Sequence, residues 1–248
     1  MSDSSVLKKS FERDGIVMGR NIFDVDTMAQ IIKGWEVFYN PNRTTSAFKP
    51  QEIAENIPGY LIDIARHPPL VDVIEQLIGP NIALYNFRFV VKDKQFRDGV
   101  FLHQDSCYHV GLLNKISAFV ALTHVEENGA MTFYKGSHKL GFLGDAGEIN
   151  KAAYASQFEG VTPHMRVGDV LFMHSSTWHE SAYNRTSKDR ILADIIYQGT
   201  DDPSGRELIR GEWQCDPLPW LRGDNLFVRS RRTRLIELEQ QTKRGGND

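Results

Sequence analysis

His103, Asp105, His179 and Arg190 are the residues of this chain whose types and spacing could carry chemistry. His103-Gln104-Asp105 closes an extended run, and in a strand residues i and i+2 project from one face, so the imidazole and carboxylate can meet at one point. That is metal-ligand geometry. Alone it is a weak signal: eight histidines and 32 acidic residues among 248 make about one His-x-acid by chance, and His124-Val125-Glu126 is a second. The second runs into the turn signal Glu127-Asn128-Gly129, which directs its acid to solvent. Downstream, Val170 to His174 reads as a strand, Thr177 to Ser181 as an extended piece, and Arg190 to Tyr197 as a strong strand after a polar loop. On this reading His179 and Arg190 lie on adjacent antiparallel strands, with Ser181 on the face of His179 and near Arg190 across the hairpin. The fork of the guanidinium suits a carboxylate. Two imidazoles and one carboxylate on one face of an octahedron leave three open positions, the arrangement associated with non-heme Fe(II) that binds both an oxidant and a co-substrate.

The elements that must position these groups fall into two kinds. After Asp24, a helix N-cap, apolar residues at Val25, Met28, Ile31, Ile32, Trp35 and Phe38 have helical spacing, and Pro41 closes the run. A second helix opens at His67-Pro68-Pro69, buries Leu70, Val71, Val73, Ile74, Leu77 and Ile78, and ends at Gly79-Pro80. From Ile82 the pattern changes to short β-branched and aromatic runs at 82–92, 99–103, 116–124, 130–134, 161–167, 169–174, 177–183 and 190–198. Eight such runs predict a sandwich or jelly roll. The long interruption from Gly141 to Gly160, with a short helix around 150–158, reads as a lid.

Composition narrows the classes. Apolar residues are 41% and charged residues 25% of the chain, which suits a folded protein with a full core and excludes disordered or collagen-like readings. A formal charge of -3 offers no general attraction to phosphate backbones or anionic lipid, so the expected partner is a small molecule rather than nucleic acid or membrane. Two cysteines without a CxxC pairing, no apolar leader and no long apolar stretch make a cytoplasmic location the expectation. Oligomeric state is not legible.

Several ordered motifs resemble one family. Phe11-Glu12-Arg13-Asp14-Gly15, Leu77-Ile78-Gly79, His103-Gln104-Asp105, Glu127-Asn128-Gly129, Gly136-Ser137-His138, and His179 with Ser181 and Arg190 are similar to the phytanoyl-CoA dioxygenase family of Fe(II)/2-oxoglutarate-dependent oxygenases. The resemblance implies one domain over 1–248: a helical part at 1–80, a double-stranded β-helix (jelly roll, cupin-like) core at about 81–200 and a C-terminal segment at 201–248. The fold is then mainly β with flanking α. It implies that His103, Asp105 and His179 hold Fe(II), that Arg190 and Ser181 bind the distal carboxylate of 2-oxoglutarate, and that O2 is the further co-substrate. The reaction implied is hydroxylation of a C–H bond with release of succinate and CO2, with epimerisation, desaturation or cyclisation as other outcomes of the same chemistry. Asp105 is retained where halogenating relatives carry a small residue. Val90 and Met131 stand where relatives place polar groups, and Lys135 where they place proline.

Other residues are read more plainly. Asn86, Arg88, His109 and Asp194 are candidate substrate contacts, Asp194 also being a rival carboxylate ligand. His124, His138 and His164 read as structural, and His174 as packing or support behind the site. Trp213 and Trp220 read as packing, and Arg229, Arg231, Arg232 and Arg234 as a solvated face. Two rivals remain. A jelly-roll binding module for sugar or peptide predicts no iron, and a cupin-type metal enzyme lacks the paired arginine. Segments 40–58, 141–160 and 200–228 are expected to shape the pocket, and the sparse basic residues near the core motifs favour a free metabolite or natural-product scaffold over a CoA ester.

Overall fold

A computed structural model describes residues 4–42, 63–109, 111–143, 151–199 and 202, with three short strands at Glu207–Ile209, Glu212–Gln214 and Trp220–Arg222. Helix α1 spans Ser4–Asp14. The sequence reading missed it, although Leu7 and Phe11 are one turn apart and Phe11 is buried. Gly15 ends it at φ +77°, its N–H donating to the Phe11 carbonyl at 2.7 Å. A Cβ there would lie 2.4 Å from His138 Nδ1 and 2.5 Å from Thr177 Oγ1, so only glycine lets α1 sit this close to the barrel.

Helix α2 spans Val25–Asn42 and carries its expected cap: the Asp24 carboxylate accepts from the Thr27 amide at 2.8 Å and from its hydroxyl at 3.0 Å. It continues past Pro41, because a proline in the last turn removes only one amide donor there. Helix α3, Pro68–Ile78, matches expectation, with its prolines in the first turn, Leu70, Val71, Val73, Ile74 and Leu77 buried, and the Gly79 amide closing on the Glu75 carbonyl. Helix α4, Lys151–Tyr154, falls within the short helix expected around 150–158. Among the described residues no helix is long and apolar enough to cross a membrane.

The strands are β1 Ile16–Gly19, β2 Ile82–Lys92, β3 Val100–His103, β4 Ile116–Ala121, β5 Met131–Tyr134, β6 Gly160–Val161, β7 Val170–His174, β8 His179–Ser181, β9 Arg190–Gly199, and β10 to β12 at the three C-terminal positions given above. A six-stranded sheet runs β1-β7-β4-β9-β2-β12, a four-stranded sheet runs β3-β8-β5-β6, and β10 pairs with β11. Every pairing is antiparallel. The run expected over 161–167 pairs only at Gly160–Val161 and, singly, at Met165 with Val125. Pro163 withholds the amide that a longer ladder needs.

Alternation assigns each face. Phe87, Phe89, Val91, Ile191, Ala193, Ile195 and Tyr197 pack in one core with residues of α2 and α3. Leu192, Phe119, Leu171 and Met173 pack with Met131 and Phe133 of the smaller sheet in a second core between the sheets. A bulge between Leu84 and Asn86 sets the phase of β2, so Asn86, Arg88, Val90 and Lys92 face inward opposite Ile196, Asp194, Leu192 and Arg190. Along β2 and β9 the barrel interior therefore carries Arg88, Asp194, Lys92 and Arg190 among apolar residues. One expectation is overturned: His179 and Arg190 are not on neighbouring strands. β8 pairs with β3 and β5 in the smaller sheet, whereas β9 pairs with β2 and β4 in the larger, so the loop between them crosses the sandwich and forms no hairpin.

Candidate metal centre

His103 and His179 are register partners across β3 and β8, with ring centroids 4.2 Å apart. Asp105 lies just beyond β3 in a 3-10 turn, Asp105–Cys107. Gln104 stays extended, at φ −118° and ψ 135°, so strand alternation carries through it and Asp105 returns to the face of His103. The Nε2 atoms of His103 and His179 stand 3.6 and 3.7 Å from Asp105 Oδ1. All three side chains are buried and offer ligand atoms within 4.8 Å of one another.

The ring orientations are fixed from behind. His103 Nδ1 lies 2.7 Å from the Phe101 carbonyl and His179 Nδ1 lies 3.0 Å from the Thr177 carbonyl. A carbonyl only accepts, so each Nδ1 carries a proton and each Nε2 of the neutral ring presents a lone pair. Burial pulls the His179 pKa down to about 4, with the neighbouring His103 adding to this, so its ring is neutral at pH 7. Burial resists ionisation of Asp105, but His179, the His103 hydrogen bond and Arg88 outweigh it and hold the carboxyl well below the usual range. Of these, Arg88 keeps its charge at neutral pH, with Nη2 3.9 Å from Asp105 Oδ1. Two imidazole Nε2 atoms and a carboxylate oxygen thus converge on one point, where a cation can take the place of a shared proton. That donor set fits a divalent cation of the iron type.

The groups around it are equally specific. Arg88 Nε donates to Asp194 Oδ2 at 2.6 Å, and burial pushes the Asp194 pKa up to about 6 against the opposing pull of Arg88. Asp194 is fully buried and occupied by Arg88, and among the described residues it is not one of the three clustered ligand groups. Ser117 Oγ donates to Asp105 Oδ2 at 3.4 Å. Asn86 is buried, its Oδ1 accepting from the next amide at 2.7 Å, and His109 packs edge-on to Tyr85 with its pKa lowered to about 4 by burial. His174 packs against His138 and Phe11, on the side of α1. His124 and Glu126 are exposed, as read.

Gln104, which sequence reading left without a role, points the other way. Its amide nitrogen donates to the Gly141 and Ser176 carbonyls, each at 2.8 Å, and its oxygen accepts from the Leu143 amide at 3.3 Å. The residue between two inward candidate ligands has to face outward, and here it ties the start of the 141–160 segment to the site.

Arg190 is 1% exposed, its Nη1 donating to the Gly129 carbonyl at 2.7 Å and its Nε without a partner among the described residues. Ser181 Oγ is likewise buried and unpartnered among the described residues. Asn128 fixes this corner by accepting from the Glu126 amide and donating to the His124 and Asp189 carbonyls. Residues 43–58, 144–150, the Arg229–Arg234 cluster and the side chains of Trp213 and Trp220 lie outside the described residues.

A family model described as phytanoyl-CoA dioxygenase (PhyH) matches residues 11–192. No curated protein matches the chain. Among solved structures, the chain is similar to the non-heme alpha ketoglutarate dependent epimerase SnoN from nogalamycin biosynthesis, at 21% identity over 89% of this chain and 98% of that one, TM-score 0.73. It is also similar to the carbocyclase SnoK from the same biosynthesis, at 21% identity over 81% and 86%, TM-score 0.68. EctD from S. alaskensis aligns at 22% identity over 81% and 78%, TM-score 0.69. One SnoN structure is a complex with Fe3+, alpha ketoglutarate and nogalamycin RO. These likenesses carry the double-stranded β-helix fold. The family model covers well over half of the sequence, and the chain belongs to the phytanoyl-CoA dioxygenase family of non-heme iron, 2-oxoglutarate-dependent oxygenases.

Proposed function

We propose that His103, Asp105 and His179 hold Fe(II), that Arg190 and Ser181 bind the distal carboxylate of 2-oxoglutarate, and that the chain hydroxylates a C–H bond of a small organic molecule. The observation that carries this reading is the pair of Nε2 atoms, each turned inward by a backbone carbonyl behind its ring, facing Asp105 Oδ1 at 3.6 and 3.7 Å. When bound, the iron with 2-oxoglutarate and O2 supplies the power to take hydrogen from an unactivated C–H bond, releasing succinate and CO2.

The chain's own residues supply charge and placement. Two neutral imidazoles and one carboxylate would hold a ferrous ion with a net positive charge, suited to an anionic 2-oxo acid. Arg190 Nε and Ser181 Oγ, both buried and unpartnered, offer donors to the far carboxylate. Ser117 holds the second oxygen of Asp105 and leaves the first turned to the imidazoles, with the Arg88 guanidinium 3.9 Å from that first oxygen. The rings of the exposed Phe101 and Tyr108 lie 5.7 and 6.2 Å from that of His103, edge-on, and favour a substrate with an apolar or aromatic face.

Purified protein loaded anaerobically with Fe(II) is expected to bind one iron and 2-oxoglutarate, and to release succinate on admission of air. Arg190→Ala should lose co-substrate binding while keeping iron. Wild-type protein that takes up iron but no 2-oxoglutarate overturns this reading.

A further inference from the structure

The inner end of the β2 and β9 pair holds two cations side by side. Lys92 and Arg190 are register partners on the inward face, and both are 1% exposed. Like charges directly opposite one another destabilise a sheet, and a buried ammonium costs free energy unless it is paired. Neither has a carboxylate partner among the described residues: Lys92 Nζ donates to the Ala182 carbonyl and Arg190 to the Gly129 carbonyl. One carbonyl leaves two protons of an ammonium unspent. Burial, and next the charge of Arg190, lower the Lys92 pKa to about 7, with exposed Asp98 pulling weakly the other way. The corner is short of negative charge.

The same few residues enclose that corner. Ala182 follows Ser181, whose hydroxyl is buried without a partner among the described residues, and the Ala182 amide donates to the Ala130 carbonyl at 3.1 Å. Gly129, at φ +88°, makes the room: a Cβ there would lie 2.7 Å from Lys92 Cδ and 3.1 Å from the Ala182 carbonyl oxygen. The turn is thus built around the lysine stem. A structural strap needs the carbonyl contact alone, and gives no reason to set the ammonium against Arg190.

We propose that Lys92 is a second cation of the co-substrate site, binding the distal carboxylate of 2-oxoglutarate together with Arg190 and Ser181. This rests on the reading that Arg190 faces that carboxylate. Lys92 then acts as a proton-linked anchor. The arriving carboxylate raises its pKa, so binding near pH 7 takes up about half a proton, and affinity falls as pH rises through the free-state value. The charged groups facing the ammonium are Arg190 from β9 and Asp98 from the loop after β2.

The test is calorimetric binding to anaerobic Fe(II)-loaded protein with two probes, 2-oxoglutarate and 2-oxopentanoate, the second keeping the 2-oxo acid head but lacking the distal carboxylate. Lys92→Met is expected to weaken 2-oxoglutarate about tenfold or more and 2-oxopentanoate less than about twofold. Proton uptake, read from titrations in buffers of different ionisation heat, should vanish, and Lys92→Arg should restore affinity. The ligand-free Tm of Lys92→Met should hold or rise, because a like-charge pair is relieved. A structural strap predicts the reverse: a lower Tm and unchanged 2-oxoglutarate affinity, or equal weakening of both probes, and either result overturns the proposal. If Lys92→Met does not fold, the wild-type proton count decides, since zero uptake near pH 7 is equally fatal. Wild-type protein that binds neither probe overturns instead the reading beneath it.

Discussion

Arg88→Met tests the charge arrangement behind the Asp105 carboxylate most directly. Arg88 Nε sits 2.6 Å from Asp194 Oδ2, the aspartate is fully buried, and the arginine side chain is 22% exposed. Removing one member of a buried ion pair costs about 3–5 kcal/mol, because the other charge is left without compensation. The penalty must depend on pH. Burial has already pushed the Asp194 pKa up to about 6 with Arg88 beside it, so without Arg88 it moves higher still. An acid whose folded pKa lies above its unfolded value of about 3.9 contributes stability that is present below that value and lost as pH rises through the folded pKa. At pH 8 the full cost of about 3–5 kcal/mol is expected, lowering Tm on the order of 10 °C for a chain of this size. Near pH 5 the orphaned carboxyl keeps its proton, and about 1 kcal/mol remains for the lost hydrogen bond. The assay is thermal unfolding in EDTA at both pH values, with Arg88→Met/Asp194→Leu as companion. Equal losses at the two pH values, or a double variant no more stable than Arg88→Met, would refute the reasoning.

Three further outcomes are expected. Gln104→Leu should speed hydrogen exchange at the Leu143 amide, which it now holds, while iron stoichiometry stays near the wild-type value; unchanged exchange counts against the tether. Asp202→Ala should destabilise by about 3–5 kcal/mol in denaturant unfolding, because Lys115 Nζ, 2.6 Å from Asp202 Oδ2 and wholly buried, loses its counter-charge; Lys115→Met/Asp202→Leu should recover most of it. Gly129→Ala should cost about 1–3 kcal/mol and weaken 2-oxoglutarate binding, since both its positive φ and the Lys92 stem exclude a methyl; a neutral result in both measurements contradicts that packing.

The site was legible where chemistry is local. Strand alternation let His103 and Asp105 converge but was a weak signal by itself, and His179 joined them through the order of the downstream motifs. What sequence could not supply was partnership between strands. A run such as 177–183 looks the same whether its neighbour is β9 or β3, and only the register shows that the chain crosses the sandwich after Ser181. Lys92 escaped notice for a related reason: a lysine closing a strand normally reaches solvent, and its burial depends on Arg190, Gly129 and Ala182, all distant in sequence. Helix α1 carried too few apolar residues to stand out, and the 161–167 run looked like a strand because β-branched residues outweighed Pro163.

The crossing between β8 and β9 has a consequence for choice of co-substrate. His103, Asp105 and His179 belong to the smaller sheet and its edge, while Arg190 belongs to the larger, so the gap from ligand cluster to guanidinium is set by how the two sheets stack. Packed hydrocarbon between the layers makes that gap stiff. On the proposed assignment of these residues, the barrel works as a calliper. A keto diacid one methylene shorter or longer than 2-oxoglutarate can reach one jaw but not both, so oxaloacetate and 2-oxoadipate should be rejected by length rather than by charge.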